Sequence, residues 1–411
     1  MPVPGTSQGR PRFSVDASIE PGDQGAPEVR FDYRMARSEL LFERAPDGYH
    51  AAYDVRVVFR RSKGGRQVAG DVFQRDLRVP TYAETRSRGD DIVDHVTLKA
   101  PAGKYDVDVV IGDLVAQREA GTTVSVEVPS QSDARLWFTD LSLGTAGSGP
   151  VDPADLRASL DPRPSRRFTD DVNRLAVFGE IVDSRPEGER GSTYRLEYKV
   201  LNDIQDRVAH GDTVLPRRGG RTPFLLRPGI GTLIPGSYRF VVELALPAPQ
   251  GKGGRKPSPV TRERAFEVAP SIASILADPK GSIEVLRYIA NDAEKREMET
   301  LKTEEARRQF WTAFWKRRDP TPDTPQNEAM DEFYQRVLYA NQHFSVGTPG
   351  WKTDMGRIYI VYGKPDEVVR NPFNFDRPPE EIWYYYRERK TFVFVDRDGF
   401  GRYELDPNRA P

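Results

Sequence analysis

Asp354 ends the run Gly350-Trp351-Lys352-Thr353-Asp354, in which a large apolar ring and a charge share one turn. A carboxylate so placed can act as a general acid or base, with Glu367, Glu381 or Asp319 as its second group. Two carboxyl groups about 5–10 Å apart across a substrate would serve a glycan hydrolase. The plainer role for Thr353 and Asp354 is to cap backbone N–H groups, and the residue types favour it. Arg317-Arg318-Asp319 could bind a carboxylate or phosphate through the guanidinium fork. At a helix end such a triplet more often forms salt bridges and complements the helix dipole. His343 has no serine or carboxylate at a telling spacing and reads as a surface or helix-end histidine. Asp396-Arg397-Asp398-Gly399 matches the start of a calcium loop, but Pro407 stands where the distal glutamate belongs, so a hairpin turn is preferred. Glu380-Glu381 and Asp366-Glu367 could pair as carboxylates, which spacing alone does not decide. No phosphate loop, dinucleotide fingerprint, metal-ligand cluster or nucleophile elbow is present. With 0 cysteines, disulfides, zinc–thiolate sites and cysteine nucleophiles are excluded. No cofactor is implied.

Aromatic residues crowd the last third of the chain. Phe310/Phe314 and Trp311/Trp315 are i,i+4 pairs that stack on adjacent turns of a helix. A small mixed module needs such rings for its core. A strand over Trp383-Tyr384-Tyr385-Tyr386 must still point alternate rings outward. Beside Arg370, Arg387 and Arg389 these could form a platform for a peptide or a glycan.

The elements that would hold these groups follow from periodicity. At 411 residues, two or three domains are expected. Residues 1–28, rich in Pro, Gly and Ser and without an apolar h-region, read as a flexible leader and not as a signal peptide. Residues 29–143 alternate as short half-buried strands, with Tyr53, Val55, Val57 and Phe59 on one face, and predict a β-sandwich of immunoglobulin or fibronectin type. The strand over residues 136–143 is its last. Residues 144–166 form a Gly/Pro/Ser/Asp-rich linker. Residues 167–269 repeat the logic as a second sandwich: Pro235-Gly236-Ser237-Tyr238 echoes Pro101-Ala102-Gly103-Lys104-Tyr105. Lys63-Gly64-Gly65-Arg66 and residues 247–260 read as hairpin loops.

Residues 270–411 predict an α+β module of helices packed on an antiparallel meander. A long helix over residues 283–315 stops before Asp319-Pro320. A second begins at Thr324 as N-cap with Pro325 in its first turn. Residues 357–362, β-branched and aromatic, read as a strand between the turns at 350–356 and 363–366. Two further strands, 381–386 and 390–395, follow.

The ordered motifs Phe314-Trp315-Lys316-Arg317-Arg318-Asp319-Pro320, Asn327-Glu328, Phe333-Tyr334-Gln335-Arg336, Gly350-Trp351-Lys352-Thr353-Asp354, Gly356-Arg357-Ile358-Tyr359 and Glu381-Ile382-Trp383 resemble the GWxTD domain over roughly residues 275–411. The resemblance implies a bacterial protein, commonly exported to the envelope, with β-rich domains ahead of the module. It implies no reaction. Trp315, Arg317, Asp319, Trp351, Thr353, Asp354, Arg357, Tyr359 and Trp383 are its candidate interaction residues.

The formal net charge of −1 offers no bulk attraction to nucleic acid or to an anionic bilayer. No segment approaches the roughly 18 apolar residues of a membrane span. The expectation is a non-catalytic protein of the periplasm or cell envelope whose partner is an envelope protein or a glycan. A carboxylate-dependent hydrolase or glycan-active protein is the alternative, and a cytoplasmic scaffold a third.

Overall fold

The structure, a computed structural model, describes residues 4–409 except 8, 23–26, 63–64, 87–90, 130–134, 147–150, 188–190, 246–258, 276, 321–326 and 372–377. The chain divides into two compact units, one running to Val268 and one starting at Ala269.

The first unit opens with β1 (Gly5–Thr6), β2 (Ser14–Pro21), β3 (Pro27–Ala36), β4 (Glu43–Ala45), β5 (Gly48–Arg61), β6 (Gln67–Val79), the single-turn α1 (Tyr82–Thr85), β7 (Asp91–Lys99), β8 (Gly103–Asp113) and β9 (Arg118–Val128). One sheet has the order β1-β2-β3-β7; the other runs β4-β5-β8-β9, with β6 on the far side of β5. Alternation fixes the faces. Ala51, Tyr53, Val55, Val57 and Phe59 of β5 point inward against Val29, Phe31, Tyr33 and Met35 of β3, and all are buried in one core. The expected flexible leader is corrected here. Phe13, Val15, Ala17 and Ile19 alternate inward, so Ser14–Pro21 is a full strand of this sandwich.

The second sandwich comprises β10 (Leu136–Phe138), β11 (Ser142–Ala146), β12 (Leu160–Pro162), β13 (Arg167–Thr169), β14 (Ala176–Asp183), β15 (Thr193–Leu201), β16 (Arg207–Pro216), β17 (Arg221–Leu226), β18 (Gly236–Ala245) and β19 (Val260–Ala269). One sheet has the order β10-β14-β11-β12, with β17 on the other edge of β14; the second has the order β13-β19-β18-β15-β16. The expected boundary at 144–166 therefore moves. β10 and β11 pair with β14, and their Phe138, Leu141 and Leu143 enter the second core. The 160s are likewise strand, not linker. The two echoing Pro/Gly/Tyr motifs occupy the same local position in the two sandwiches. Each tyrosine hydroxyl donates to the carbonyl four residues upstream: Tyr105 to Pro101 at 2.7 Å and Tyr238 to Ile234 at 2.6 Å. The loop expected over 247–260 lies almost wholly outside the described residues, as do Lys63 and Gly64.

The second unit contains α2 (Ile272–Ile275), α3 (Pro279–Leu286), α4 (Asp292–Thr300), α5 (Glu304–Arg318), α6 (Glu328–Phe344), α7 (Asp354–Tyr362), and strands β20 (Glu367–Asn371), β21 (Glu380–Tyr385), β22 (Lys390–Asp396) and β23 (Tyr403–Leu405). The strands form an antiparallel meander in sequence order. The long helix expected over 283–315 is three helices. Asn291 and Glu294 form a capping box at the start of α4, and Thr303 caps α5 by accepting from Ala306 N–H. Asn327 caps α6, accepting from Met330 N–H at 2.9 Å; Thr324 lies outside the described residues. The strand expected over 357–362 is helix α7. Its apolar residues Met355, Ile358, Tyr359 and Tyr362 fall at i, i+3, i+4 and i+7 and pack on Trp383, Tyr385, Phe392 and Phe394 of the sheet. A separate helical core holds Phe310, Trp311, Phe314, Trp315, Phe333 and Tyr334.

Candidate functional site

The Gly-Trp-Lys-Thr-Asp turn is clasped by the end of α6. Gly350 N–H donates to Ser345 Oγ at 2.8 Å, and Trp351 N–H donates to Asn341 Oδ1 at 3.1 Å. A Cβ on Gly350 would stand 1.8 Å from the carbonyl oxygen of Ala340, so only glycine allows this approach. Gly356 repeats the device one turn later: its Cβ would stand 1.9 Å from the carbonyl oxygen of Gly350. Thr353 starts α7. Its hydroxyl accepts from Gly356 N–H at 3.0 Å and donates to the Gly350 carbonyl at 2.7 Å. Asp354 reaches across to the sheet, where its Oδ2 accepts from Leu405 N–H at 2.9 Å; its Oδ1 meets Arg357 at 3.2 Å. Trp351 is half-buried and edge-on to Tyr288, whose hydroxyl donates to the Trp351 carbonyl at 3.0 Å. The motif residues thus join α6, α7 and β23.

Beside this joint lies a cleft of about 430 Å³ between the C-terminal end of α6, the turn and the sheet. Thr353, Asp354 and Met355 form one wall, Tyr339, His343 and Phe344 another, and Arg370, Glu381 and Tyr403 the sheet side. Tyr339 stacks on Tyr359 with ring centres 4.2 Å apart, and His343 lies 4.1 Å from Tyr339. Glu381 is held by Arg370 Nε at 3.0 Å and by Trp383 Nε1 at 2.8 Å. Burial pushes the Tyr359 hydroxyl above the ordinary phenol range, so it is no base near neutral pH.

Among the residues singled out from sequence, Thr353, Asp354 and Glu381 line this cleft, whereas Trp315, Arg317, Asp319 and Glu367 do not. Trp383 and Tyr385 are buried under α7, and Tyr384 and Tyr386 stack outward with ring centres 6.1 Å apart. The register sets Arg370 opposite Glu381 and Glu367 opposite Tyr384, so Arg370 and Glu367 face opposite sides of the sheet. The outward tyrosines and Arg370 therefore do not form one platform, and Glu367 does not share a surface with Glu381. Tyr386 hydroxyl bonds Glu367 on the outer side.

Arg317 and Arg318 converge on Glu294. Arg318 makes contacts of 2.6 and 2.8 Å and Arg317 one of 3.0 Å. Those hydrogen bonds, Arg318 first, hold the Glu294 carboxyl down at about 2. Asp319 is the C-cap residue of α5. Trp315 is buried against Phe314, Phe333 and Tyr334. Asp396 accepts from Gly399 and Gly401 N–H at 3.0 and 2.8 Å and closes the β22–β23 turn. Sequence reasoning missed Tyr339, Val346, Arg402 and Tyr403 as cleft residues. The available signal was Tyr339 four residues before His343, which puts both rings on one helix face.

No curated protein matches the chain. Among solved structures, a glycosyl hydrolase family 2 member from Bacteroides cellulosilyticus aligns at 10% identity over 58% of this chain and 26% of that one, with a TM-score of 0.22. A β-glucuronidase from Parabacteroides merdae aligns at 10% identity over 58% of this chain and 28% of that one, with a TM-score of 0.20. The chain thus spans little more than a quarter of the length of either protein. Residues 269–407, the unit that carries the turn and the cleft, match the GWxTD domain, and the chain is a GWxTD domain-containing protein.

Proposed function

We propose that this chain is a non-catalytic bacterial cell-envelope protein with a role in protein interaction, and that its GWxTD module is the interaction unit. One observation carries the reading. The polar groups of the motif are spent on building a cleft wall: Thr353 caps α7, and both oxygens of Asp354 engage protein donors. Glu381, the other carboxylate in the cleft that the sequence suggested, has both oxygens engaged as well. A cleft with committed carboxylates and an aromatic rim suits recognition better than proton transfer. The envelope assignment rests on the family resemblance, and no helix among the described residues is long and apolar enough to cross a membrane.

The cleft rim offers tests that spare the fold. Val346, 40% exposed, and Arg402 both line the cleft. Full-length protein immobilised in an envelope extract should retain a defined partner that Val346→Glu with Arg402→Glu loses, while circular dichroism stays unchanged. Equal capture by both proteins removes the cleft as the contact.

A further inference from the structure

A second concavity is lined in part by Tyr288, the ring that contacts Trp351. α3 presents Lys280, Ile283 and Glu284, and its C-cap residue Arg287 continues that face, at a spacing of i, i+3, i+4 and i+7. α4 presents Lys295, Met298 and Glu299, spaced i, i+3 and i+4, and Leu301 and Arg307 complete the lining. Together with Tyr288 they enclose a groove of about 540 Å³. Its floor is apolar: Ile283 is buried, and Met298, Leu301 and Tyr288 are half-buried. Methionine and leucine on such a floor can repack around an incoming side chain.

The rim carries an unusual charge balance for a chain of net charge −1. Four cations, Lys280, Arg287, Lys295 and Arg307, face two carboxylates, Glu284 and Glu299. Glu284 is already within 3.5 Å of Lys352. Several other arginines of this unit are ion-paired: Arg317 and Arg318 with Glu294, Arg336 with Glu332, Arg357 with Asp354, Arg370 with Glu381 and Arg409 with Glu380. No ion pair among the described residues holds Lys280, Arg287 or Arg307.

We propose that the groove between α3 and α4 docks an acidic amphipathic helix of a partner protein. Apolar side chains of the helix would enter over Ile283, Met298 and Leu301, and its carboxylates would meet Lys280, Arg287 and Arg307. The charge complementarity names the partner's sign. The geometry names its form: the walls are helix faces with their backbone groups satisfied internally, which leaves no strand edge to extend. A concave floor between helices admits protruding side chains, whereas a bilayer requires a projecting apolar face. The groove shares no lining residue with the cleft at Thr353 and Asp354, so this proposal and the cleft reading stand or fall separately. The Glu284–Lys352 pair and the Tyr288–Trp351 contact tie the groove wall to the motif turn, which gives Trp351 a supporting role here.

The test uses the full chain and labelled helical peptides followed by fluorescence anisotropy. One peptide has leucine along one face and glutamate on the other; the second replaces glutamate by lysine; the third replaces leucine by serine. The glutamate–leucine peptide should bind, more weakly as salt rises, and the other two should bind at least about tenfold more weakly. Arg287→Glu with Arg307→Glu should weaken the glutamate peptide about tenfold and recruit the lysine peptide. Lys316→Glu, on an exposed position of α5 outside the groove, should change neither. Equal binding of the glutamate and lysine peptides, or indifference to the Arg287/Arg307 reversal, overturns the proposal. So does binding of phosphatidylglycerol vesicles that the reversal abolishes while no peptide binds.

Discussion

Gly350 and Asp354 lie four residues apart in one motif, yet they differ widely in the change they tolerate. Adding a methyl group at Gly350 would drive it to 1.8 Å from the Ala340 carbonyl, a backbone atom in the last turns of α6 that moves only if the helix moves. Overpacking of that kind costs typically about 1–3 kcal/mol and more where the neighbour is rigid, so Gly350→Ala should lose about 3 kcal/mol. Asp354→Asn keeps an oxygen for Leu405 N–H and gives up only the contact with Arg357. Both partners of that pair are about two-fifths exposed, with side-chain values of 41% and 38%, so the loss should stay below about 1 kcal/mol. Denaturant titration of the two variants, followed by tryptophan fluorescence, checks the order. A larger loss for Asp354→Asn would mean that the carboxylate does more than fasten a turn.

Helix α4 is held in place largely by Glu294. Its backbone N–H closes the capping box with Asn291, and its carboxylate takes both Arg317 and Arg318 from the end of α5. A carboxylate held at about 2 against an ordinary 4.5 stabilises the fold at neutral pH. That contribution is fully present above the unfolded value and is lost as pH falls through the folded one, so its window is about pH 4.5 to 2. Arg317 is half exposed, and screening by solvent leaves on the order of 1–2 kcal/mol of this contribution. Glu294→Gln should remove that acid-dependent component, and the stability gap between wild type and variant should close on acidification through the window. A constant gap would assign the loss to packing instead. Short-range signals made much of this module legible: the Phe310/Phe314 and Trp311/Trp315 pairs lie on α5 as their spacing requires, and the hairpins after 380 follow from alternation. Helix α7 was not legible from propensity, because Ile358, Ile360, Val361 and two tyrosines favour strand. The cap at Thr353, an acid in the first turn and Gly363 at the end, with φ 80°, outvoted them. The cleft was only partly legible. Tyr403 reaches it from a strand paired across the sheet, with Arg402 just ahead of that strand, and no local pattern carries that information.

Between the two sandwiches of the first unit the chain buries charge. Arg264 of β19 is 1% exposed and donates to Asp16 of β2 at 2.7 Å and to the Ala17 carbonyl at 2.5 Å. Arg166, 3% exposed, grips the same carboxylate with contacts of 2.6 and 2.8 Å. Asp140 adds a second bridge: it accepts from Ile19 N–H at 2.9 Å and pairs with Arg262 at 3.1 Å. Strand β2 pairs with its neighbour β3, but the groups that let Asp16 be buried, Arg166 and Arg264, lie 150 and 248 residues away, so no local pattern announces them. It also predicts cooperativity. A junction between sandwiches built on exposed pairs would let each unfold alone, because such pairs contribute little. Here the bonds from Arg166 and Arg264 to Asp16 join the two sandwiches away from water, and they are lost when either sandwich opens. Hydrogen bonds to charged groups contribute about 1.5–3 kcal/mol each, so their joint loss should make the two sandwiches unfold as one transition. Asp16→Ala leaves Arg166 and Arg264 without their shared acceptor, and should lower that transition or split it in two. Hydrogen exchange read strand by strand identifies the outcome: in the wild type β5 and β18 should lose protection together, and in the variant β5 should open first because it shares a core with β2. Independent opening of β5 and β18 in the wild type would show that the buried charges orient the sandwiches without coupling their stability.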